Sequence, residues 1–307
     1  LRSANMHPFI YSRMIDDADP AAKPGDVVNV YDRSGRLFGR ALFNPRSKIA
    51  LRVLVHGEQP VNESFWRSGL ASAIGLRDRL GLSEHTDAFR LVHAEGDGLS
   101  GLIVERYADT LVFEVFSLGI FQRLPAIKQM LTELLPRPTS LDRPDRPAER
   151  WRTVVRADAS VEKLEGFRAE EPPDLGRLII REHGVRYRVD PAAGHKTGFF
   201  CDQRDNRKAF AELCRGAEVL DLCCYTGGFS LCAKLLGGAK QVTAVDLDEN
   251  ALALAKENAK LNQARIQFAH SDAFVYLRQM EANRRQFDTV VLDPPKFAQG
   301  RRSVDAA

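Results

Sequence analysis

Between residues 219 and 293 the chain alternates a short apolar run with a helical period, and each run has an aspartate at or near its end. Val219–Leu222, Gln241–Val245, Ile266–Phe268 and Phe287–Leu292 read as strands. Phe229–Leu236, Glu249–Leu261 and Ala273–Met280 read as the intervening helices. This alternation predicts a parallel, doubly wound sheet. Ligands of such sheets bind at the carboxyl ends of the strands, where Asp221, Asp246, Asp272 and Asp293 fall. One acid there is ordinary in an α/β protein. Four in succession, each about one strand–helix unit apart, point to a ligand.

The loop Asp221-Leu222-Cys223-Cys224-Tyr225-Thr226-Gly227-Gly228 leads into a helix. Glycine permits close backbone approach, and a helix start offers N–H groups. The loop is not the G-x-G-x-x-G of a dinucleotide site, because Cys223 stands where the first glycine belongs. A pyrophosphate cradle is therefore disfavoured, and with it a nucleotide-dependent oxidoreductase. A smaller zwitterion fits better, with its ammonium near Asp221. Asp246 is placed to accept hydrogen bonds from ribose hydroxyls, and Asp272 and Ala273 to meet an adenine amino group. A nucleoside with a methionine-like tail is S-adenosylmethionine. Cys223, Tyr225 and Gly227 join the candidate contacts to it. The plainer alternative makes each aspartate an N-cap or turn residue.

Asp293-Pro294-Pro295-Lys296-Phe297 follows the fourth strand. Two prolines lock the backbone and remove N–H donors, leaving a carbonyl-rich wall suited to a planar base; the plainer reading is a strand terminator. Asp293, Pro294 and Lys296 are the candidate catalytic residues. Ahead of the sheet, Gly194–Arg207 mixes glycine, aromatic and polar residues, a composition typical of functional loops. Phe199 or Phe200 is suited to stack on an aromatic ring, and Gln203 and Arg204 to hold a carboxylate. The alternative is a capped helix start with both phenylalanines in the core.

The rest of the chain differs in texture. Val27–Asp32, Leu37–Phe43 and Lys48–Val55 read as strands of a small β unit with a turn at Ser34-Gly35, and a helix from Asn62 to Leu80 leads out of it. Leu102–Tyr107 and Leu111–Val115 bracket a turn at Asp109, followed by a helix over Phe121–Leu135, a Pro/Arg-rich loop over Pro136–Arg150, and strands at Arg152–Arg156 and Leu178–Val189. The expected domains are 1–75, 76–189 and 190–307. No run approaches 18 apolar residues, so no membrane span is expected. The five cysteines show no C-x-x-C pairing, which argues against zinc or another metal. Their odd number, with no secretion signal, suggests reduced thiols and a cytoplasmic protein. Cys214 and Cys232 fall in expected helical segments. The net charge of +3 permits an anionic partner, and Arg13, Arg33, Arg36, Arg40, Arg46, Lys48 and Arg52 crowd the first region, as a phosphate-binding face would; dispersed surface arginines are the equal alternative.

Gly194–Arg207, Asp221–Gly228 and Asp293–Phe297 together resemble the class I, PUA-containing methyltransferases that modify cytosine C5 in large-subunit rRNA. His7–Ser12 and Gly39–Asn44 are similar to the PUA motifs of that family. Glu95–Val104 and Lys163–Gly166 are similar to its central domain. The resemblance implies an α/β chain: an N-terminal β-rich PUA-like domain that grips structured RNA, a central α+β domain, and a C-terminal Rossmann-like sheet that holds S-adenosylmethionine. It places Asp221, Asp246, Asp272 and Asp293 in the cofactor and active-site motifs. His195 and Cys201 stand where the family often has Gln and Leu. About three further strands are expected beyond Ala307, with a nucleophilic cysteine in a Ser-Cys-Ser-like stretch there. Cytosine C5 methylation needs a thiolate at C6, and no cysteine of this chain is placed for it. The expected partner is rRNA, with a homodimer left open. The rival readings are an amino-group methyltransferase, for which Asp-Pro-Pro-aromatic is the usual signature and Lys296 intervenes here, and a non-catalytic protein binding S-adenosylmethionine and RNA.

Overall fold

The computed structural model describes residues 6–138, 150–191 and 199–294. They form two compact units, one running to Leu178 and one joining Ile179–Val189 to the chain from residue 199 onward.

In the first unit, β1 (Phe9–Ile10), β2 (Val27–Tyr31), β3 (Leu37–Phe43) and β4 (Leu51–His56) form an antiparallel sheet in the order β1-β4-β3-β2. Alternate residues Ala41, Phe43, Leu51 and Val53 pack with Ile10 in its core. The Ser34-Gly35 turn forms as expected, with Asp32 Oδ1 accepting from Ser34 N (2.9 Å). The third strand starts at Leu51, not Lys48. Asn44 Oδ1 accepts from Arg46 N (3.1 Å) in the preceding turn, and Ser47 Oγ accepts from Ile49 N (3.2 Å), so a side chain takes a donor the strand would use.

Next come α1 (Glu63–Arg79), capped by Asn62, α2 (Leu82–His85), β5 (Ala88–His93), β6 (Leu102–Tyr107), β7 (Thr110–Val115), α3 (Leu118–Leu134), β8 (Arg152–Arg156) and α4 (Ala159–Glu165). The sheet order is β5-β6-β7-β8, with only β7 and β8 parallel. β5 was not anticipated. α3 starts three residues earlier than the expected Phe121 because Ser117 Oγ caps it, accepting from Ile120 N (3.3 Å). Leu70, Leu102, Leu111, Phe113, Ile120 and Leu131 close the core between helices and sheet.

The two motifs Glu95–Val104 and Lys163–Gly166 converge on the first sheet. Buried Glu165 accepts from Asn44 Nδ2 (2.8 Å) and Leu118 N (3.0 Å). Arg52 of β4 donates to Phe116 O (3.0 Å) and lies 3.6 Å from Glu95. Arg52 is 8% exposed, so it belongs to this interior network and to neither of the surface roles open to it from sequence, phosphate-facing or dispersed. Arg36 pairs with Asp32 (3.1 Å) but stays exposed.

In the second unit, the expected Leu178–Val189 strand is a hairpin, β9 (Leu178–Glu182) and β10 (Val185–Val189), turning at His183-Gly184. α5 (Arg204–Glu212), β11 (Glu218–Leu222), α6 (Gly228–Leu235), β12 (Gln241–Asp246), α7 (Glu249–Leu261), β13 (Gln267–His270), α8 (Ala273–Ala282) and β14 (Thr289–Leu292) follow. The sheet is parallel throughout, in the order β13-β12-β11-β14. Val219, Leu220 and Leu222 of β11 are each 1% exposed, as a strand covered on both faces requires. The order reverses at β11, which makes the carboxyl ends of β11, β12 and β14 the switch-point crevice. Among the described residues no helix is long and apolar enough to cross a membrane.

Glu165→Ala leaves Leu118 N–H without its carboxylate acceptor, and Asn44 Nδ2 with only the Glu165 main-chain carbonyl (2.9 Å), inside the first unit. A loss of about 3 kcal/mol of unfolding free energy is expected in urea titrations. A loss under about 0.5 kcal/mol would show that the clamp contributes nothing net.

Candidate functional site

After β11 the chain must turn sharply to start α6. It does so with alternate residues left-handed: Cys223 (φ +60), Tyr225 (φ +49) and Gly227 (φ +83). A left-handed non-glycine residue costs about 1–3 kcal/mol and persists only where its surroundings impose it. Here four bonds do so. Cys224 N donates to Val245 O (3.0 Å), Gly227 N to Cys224 O (2.8 Å), Tyr225 N to Asp246 Oδ2 (2.7 Å), and Asn258 Nδ2 to Thr226 O (3.2 Å). A Cβ on Gly227 would lie 3.3 Å from that of Ala255, and one on Gly228 would lie 3.0 Å from Arg207 Cδ, so the loop is packed from both sides.

The carboxylates gather around this loop. Asp221 is 1% exposed, and its Oδ2 accepts from Ser230 N (3.0 Å) and Oγ (2.6 Å). Burial raises its pKa to about 7; the Ser230 bonds oppose this, and the charges of Asp246 and Asp293 add to it. Asp246, last residue of β12, accepts from Tyr225 N and, through Oδ1, from Asp248 N (2.9 Å). Asp272 caps α8, its Oδ1 accepting from Phe274 N (2.9 Å) and Val275 N (3.0 Å). Ala273 opens α8, half-buried against Leu222 and Val245. Asp293 and Pro294 stand exposed past β14. The half-buried Cys223 thiol is pushed up by burial and then by all four carboxylates, Asp246, Asp221, Asp272 and Asp293, which places it in their common field.

The segment before α5 divides its two phenylalanines. Phe199 is 4% exposed, with the Arg207 guanidinium 4.5 Å over its ring and Tyr187 beside it at 5.0 Å, so it is core. Phe200 is half-buried and meets the Tyr225 ring edge-on at 5.2 Å. Gln203 Oε1 accepts from Asn206 (2.7 Å), and the Arg204 guanidinium forks onto Asp205 (3.1 and 2.9 Å). Lys296, Pro295 and Phe297 lie outside the described residues, as do Gly194–Gly198 and most of the Pro136–Arg150 loop.

Two supports were missed from sequence. Arg207 forks onto Glu182 (2.7 and 2.8 Å) with both side chains at most 4% exposed, and donates to Phe200 O (3.1 Å). Asn258, fully buried, accepts from Arg188 N (2.7 Å) while holding Thr226. Both signals were legible. Glu182 occupies an inward position of an alternating strand, and Asn258 lies on the apolar stripe of α7 with Ala251 and Ala255. Cys214 sits just past α5, not in a helix, and burial raises its thiol to about 11. Burial raises Cys232 likewise to about 11, and pushes Cys224 higher still. No group of three or more His, Cys, Asp or Glu side chains is arranged to hold a metal among the described residues.

Residues 97–305 match the family of S-adenosylmethionine-dependent methyltransferases, and residues 2–56 match PUA-like domains. The chain is 36% identical to ribosomal RNA large subunit methyltransferase I of Aliivibrio fischeri strain MJ11, over 98% of this chain and 75% of that protein. It is 38% identical to the same-named protein of Aeromonas hydrophila, over 97% and 74%. The solved structure of SMU.776, a candidate methyltransferase complexed with SAH, superposes with a TM-score of 0.76 at 23% identity, over 96% of this chain and 73% of its own. At that identity the likeness bears on the fold.

An unperturbed aspartate titrates near 3.8, and folded Asp221 near 7. Folding therefore favours the protonated form between these values. The stability this contributes is complete below about pH 4 and is lost as pH rises to 7, by roughly 4 kcal/mol in all. Asp221→Asn should abolish that fall. Unfolding curves of both proteins from pH 4 to 8 read the difference, and parallel profiles would sink the assignment.

Proposed function

This chain belongs to the S-adenosylmethionine-dependent methyltransferase family, and from that premise we propose that it methylates large-subunit ribosomal RNA at C5 of a cytosine. The observation that carries the cofactor reading is the set of four carboxylates around one strained loop at the switch point. The donor set fits the cofactor, because an acidic, partly desolvated crevice favours a ligand bearing ammonium and sulfonium charges. When bound, S-adenosylmethionine supplies an electrophilic methyl group.

The residues take separate roles. Asp221 faces the ammonium, which draws its carboxyl toward the ionised form. Asp246 keeps lone pairs beyond those used by Tyr225 and Asp248, and these accept the ribose hydroxyls. Asp272 and Ala273 bound the adenine, and Phe200 with Tyr225 presents an aromatic wall to it. The Cys223–Gly227 main chain borders the ligand, and Gln203 and Arg204 hold the methionine carboxylate. Asp293, Pro294 and Lys296 hold the target base by its polar edge.

The RNA reading is supported by the relatives, which are named for large-subunit rRNA, and by the PUA-like match. C5 methylation requires a thiolate to add at cytosine C6, so that C5 becomes nucleophilic, and then to leave as the C5 proton is removed. Cys214, Cys223, Cys224 and Cys232 are all held protonated at neutral pH, and Cys201 is buried. The thiolate of that reaction is not among the described residues.

Calorimetric titration at pH 6.5 should show binding of S-adenosylmethionine and none of NAD. Binding should release protons, read from the heats in two buffers of different ionisation enthalpy, and Asp221→Asn should lose that release. Asp246→Asn should weaken binding about tenfold or more, the worth of one or two hydrogen bonds. Absence of binding by a folded chain would overturn the cofactor assignment. Incubation of rRNA with methyl-labelled cofactor, followed by nucleoside mass analysis, should yield 5-methylcytidine. An N4-methylated product would transfer the reading to the amino-group class.

A further inference from the structure

The second unit carries a concave basin of about 660 Å³ at the amino-terminal end of its sheet. Lys234, Lys240, Lys256, Lys260 and Arg265 line it, Gln241 opens β12 beside it, and no carboxylate among the described residues contributes to its wall. β12 runs from Gln241 at this basin to Asp246 at the candidate cofactor site, five strand steps and so roughly 17 Å away.

The five cations are not equivalent. Lys234 Nζ donates to Ala239 O (2.8 Å) and Lys240 O (2.9 Å), closing the turn after α6. Lys240 pairs with Glu218 (3.1 Å). Lys256, Lys260 and Arg265 are exposed and make no ion pair among the described residues. Lys260 lies in the last turn of α7, where the helix dipole favours a cation. Lys256 has no such reason. It stands four residues from Lys260, an arrangement that costs a helix about 0.2–0.5 kcal/mol. The neighbouring acid, Glu257, is engaged by Arg188 (3.4 Å). An uncompensated positive concavity focuses potential on an anion. None of the exposed large hydrophobic residues lines it, so it lacks the apolar anchors of a protein-docking surface.

We propose that this basin is a second RNA contact, in which Lys256, Lys260 and Arg265 grip the phosphate backbone of the substrate about one strand length from the bound cofactor. The inference rests on the rRNA reading above. A structured RNA is large enough to reach both ends of β12, and contacts to phosphate position a substrate without reading its sequence.

The test compares three forms of the full chain: wild type, Lys256→Gln/Lys260→Gln/Arg265→Gln, and a control losing as many charges elsewhere on the same unit, Lys208→Gln/Arg215→Gln/Arg278→Gln. Affinity for protein-free large-subunit rRNA is measured from 50 to 300 mM salt. The basin variant should bind at least about tenfold more weakly at low salt, with its log–log salt slope reduced by about 2–3, roughly one for each lost phosphate contact. Its affinity for S-adenosylmethionine and its melting temperature should match wild type, and the control should bind RNA within about threefold of wild type. Equal RNA binding by wild type and the basin variant, or an equal loss in the control, overturns the basin assignment alone. If wild type has no salt-dependent affinity for rRNA, the substrate reading falls, and the basin assignment with it.

Discussion

The second unit depends on one buried ion pair. Arg207 and Glu182 are withdrawn from water almost completely, and their bidentate contact offsets a desolvation cost of several kcal/mol per ion. The return is positional. Arg207 reaches three structures at once: the Glu182 carboxylate on β9, the carbonyl of Phe200, and the backbone of Gly228 at the head of α6. Its guanidinium also covers Phe199. Lysine cannot reproduce this, because a point charge has neither the fork nor the planar face. The hairpin, the aromatic segment and the glycine loop are thus set against one another by a single side chain, before any ligand contact is considered.

On that frame the loop from Cys223 to Gly227 can hold a conformation it would not adopt alone. Its left-handed residues are fixed by Asp246 from the next strand and by Asn258 from the next helix. Asn258 itself is anchored by the hairpin through Arg188. Asp246 therefore serves two purposes that cannot be separated by deleting its side chain: it pins Tyr225 and presents its remaining lone pairs to the crevice. Asp221 is different. It is buried against Ser230, and its charge is opposed both by desolvation and by the neighbouring acids. A crevice that disfavours its own negative charge when apo is one that a cation relieves.

The parallel unit was legible because its alternation of strand and helix is strong and because its acids fall at strand ends. Those positions follow from chain period and turn placement, which are local properties. The errors are local competitions of another kind. Lys48–Ala50 has strand composition, but Ser47 Oγ takes the Ile49 N–H. Arg52 looked like one of many surface arginines, yet Glu95 and Phe116, distant in sequence, draw it inward. Phe199 and Phe200 are adjacent and chemically identical, and it is Arg207 and Tyr187, distant in sequence, that cover Phe199 and make it core. Contacts between residues far apart in sequence leave no periodic trace. The trace they did leave was a polar residue at an apolar position, as at Glu182 and Asn258.

β12 joins opposite electrostatic ends. Its carboxyl end opens among Asp221, Asp246, Asp272 and Asp293, and its amino end among Lys234, Lys240, Lys256, Lys260 and Arg265. Neither set is required by the strand, whose interior Val242, Ala244 and Val245 are fully buried and supply the packing. Segregating charge in this way suits an enzyme that handles a cationic cofactor and a polyanionic substrate on one domain. The acidic end attracts the small cation and repels phosphate, so it leaves the backbone of a nucleic acid without a partner there. The basic end supplies one at a distance that a folded RNA spans, where it cannot compete for the cofactor. A crevice that was itself basic would bind the backbone more readily, but it would forfeit the attraction for ammonium and sulfonium that the cofactor requires.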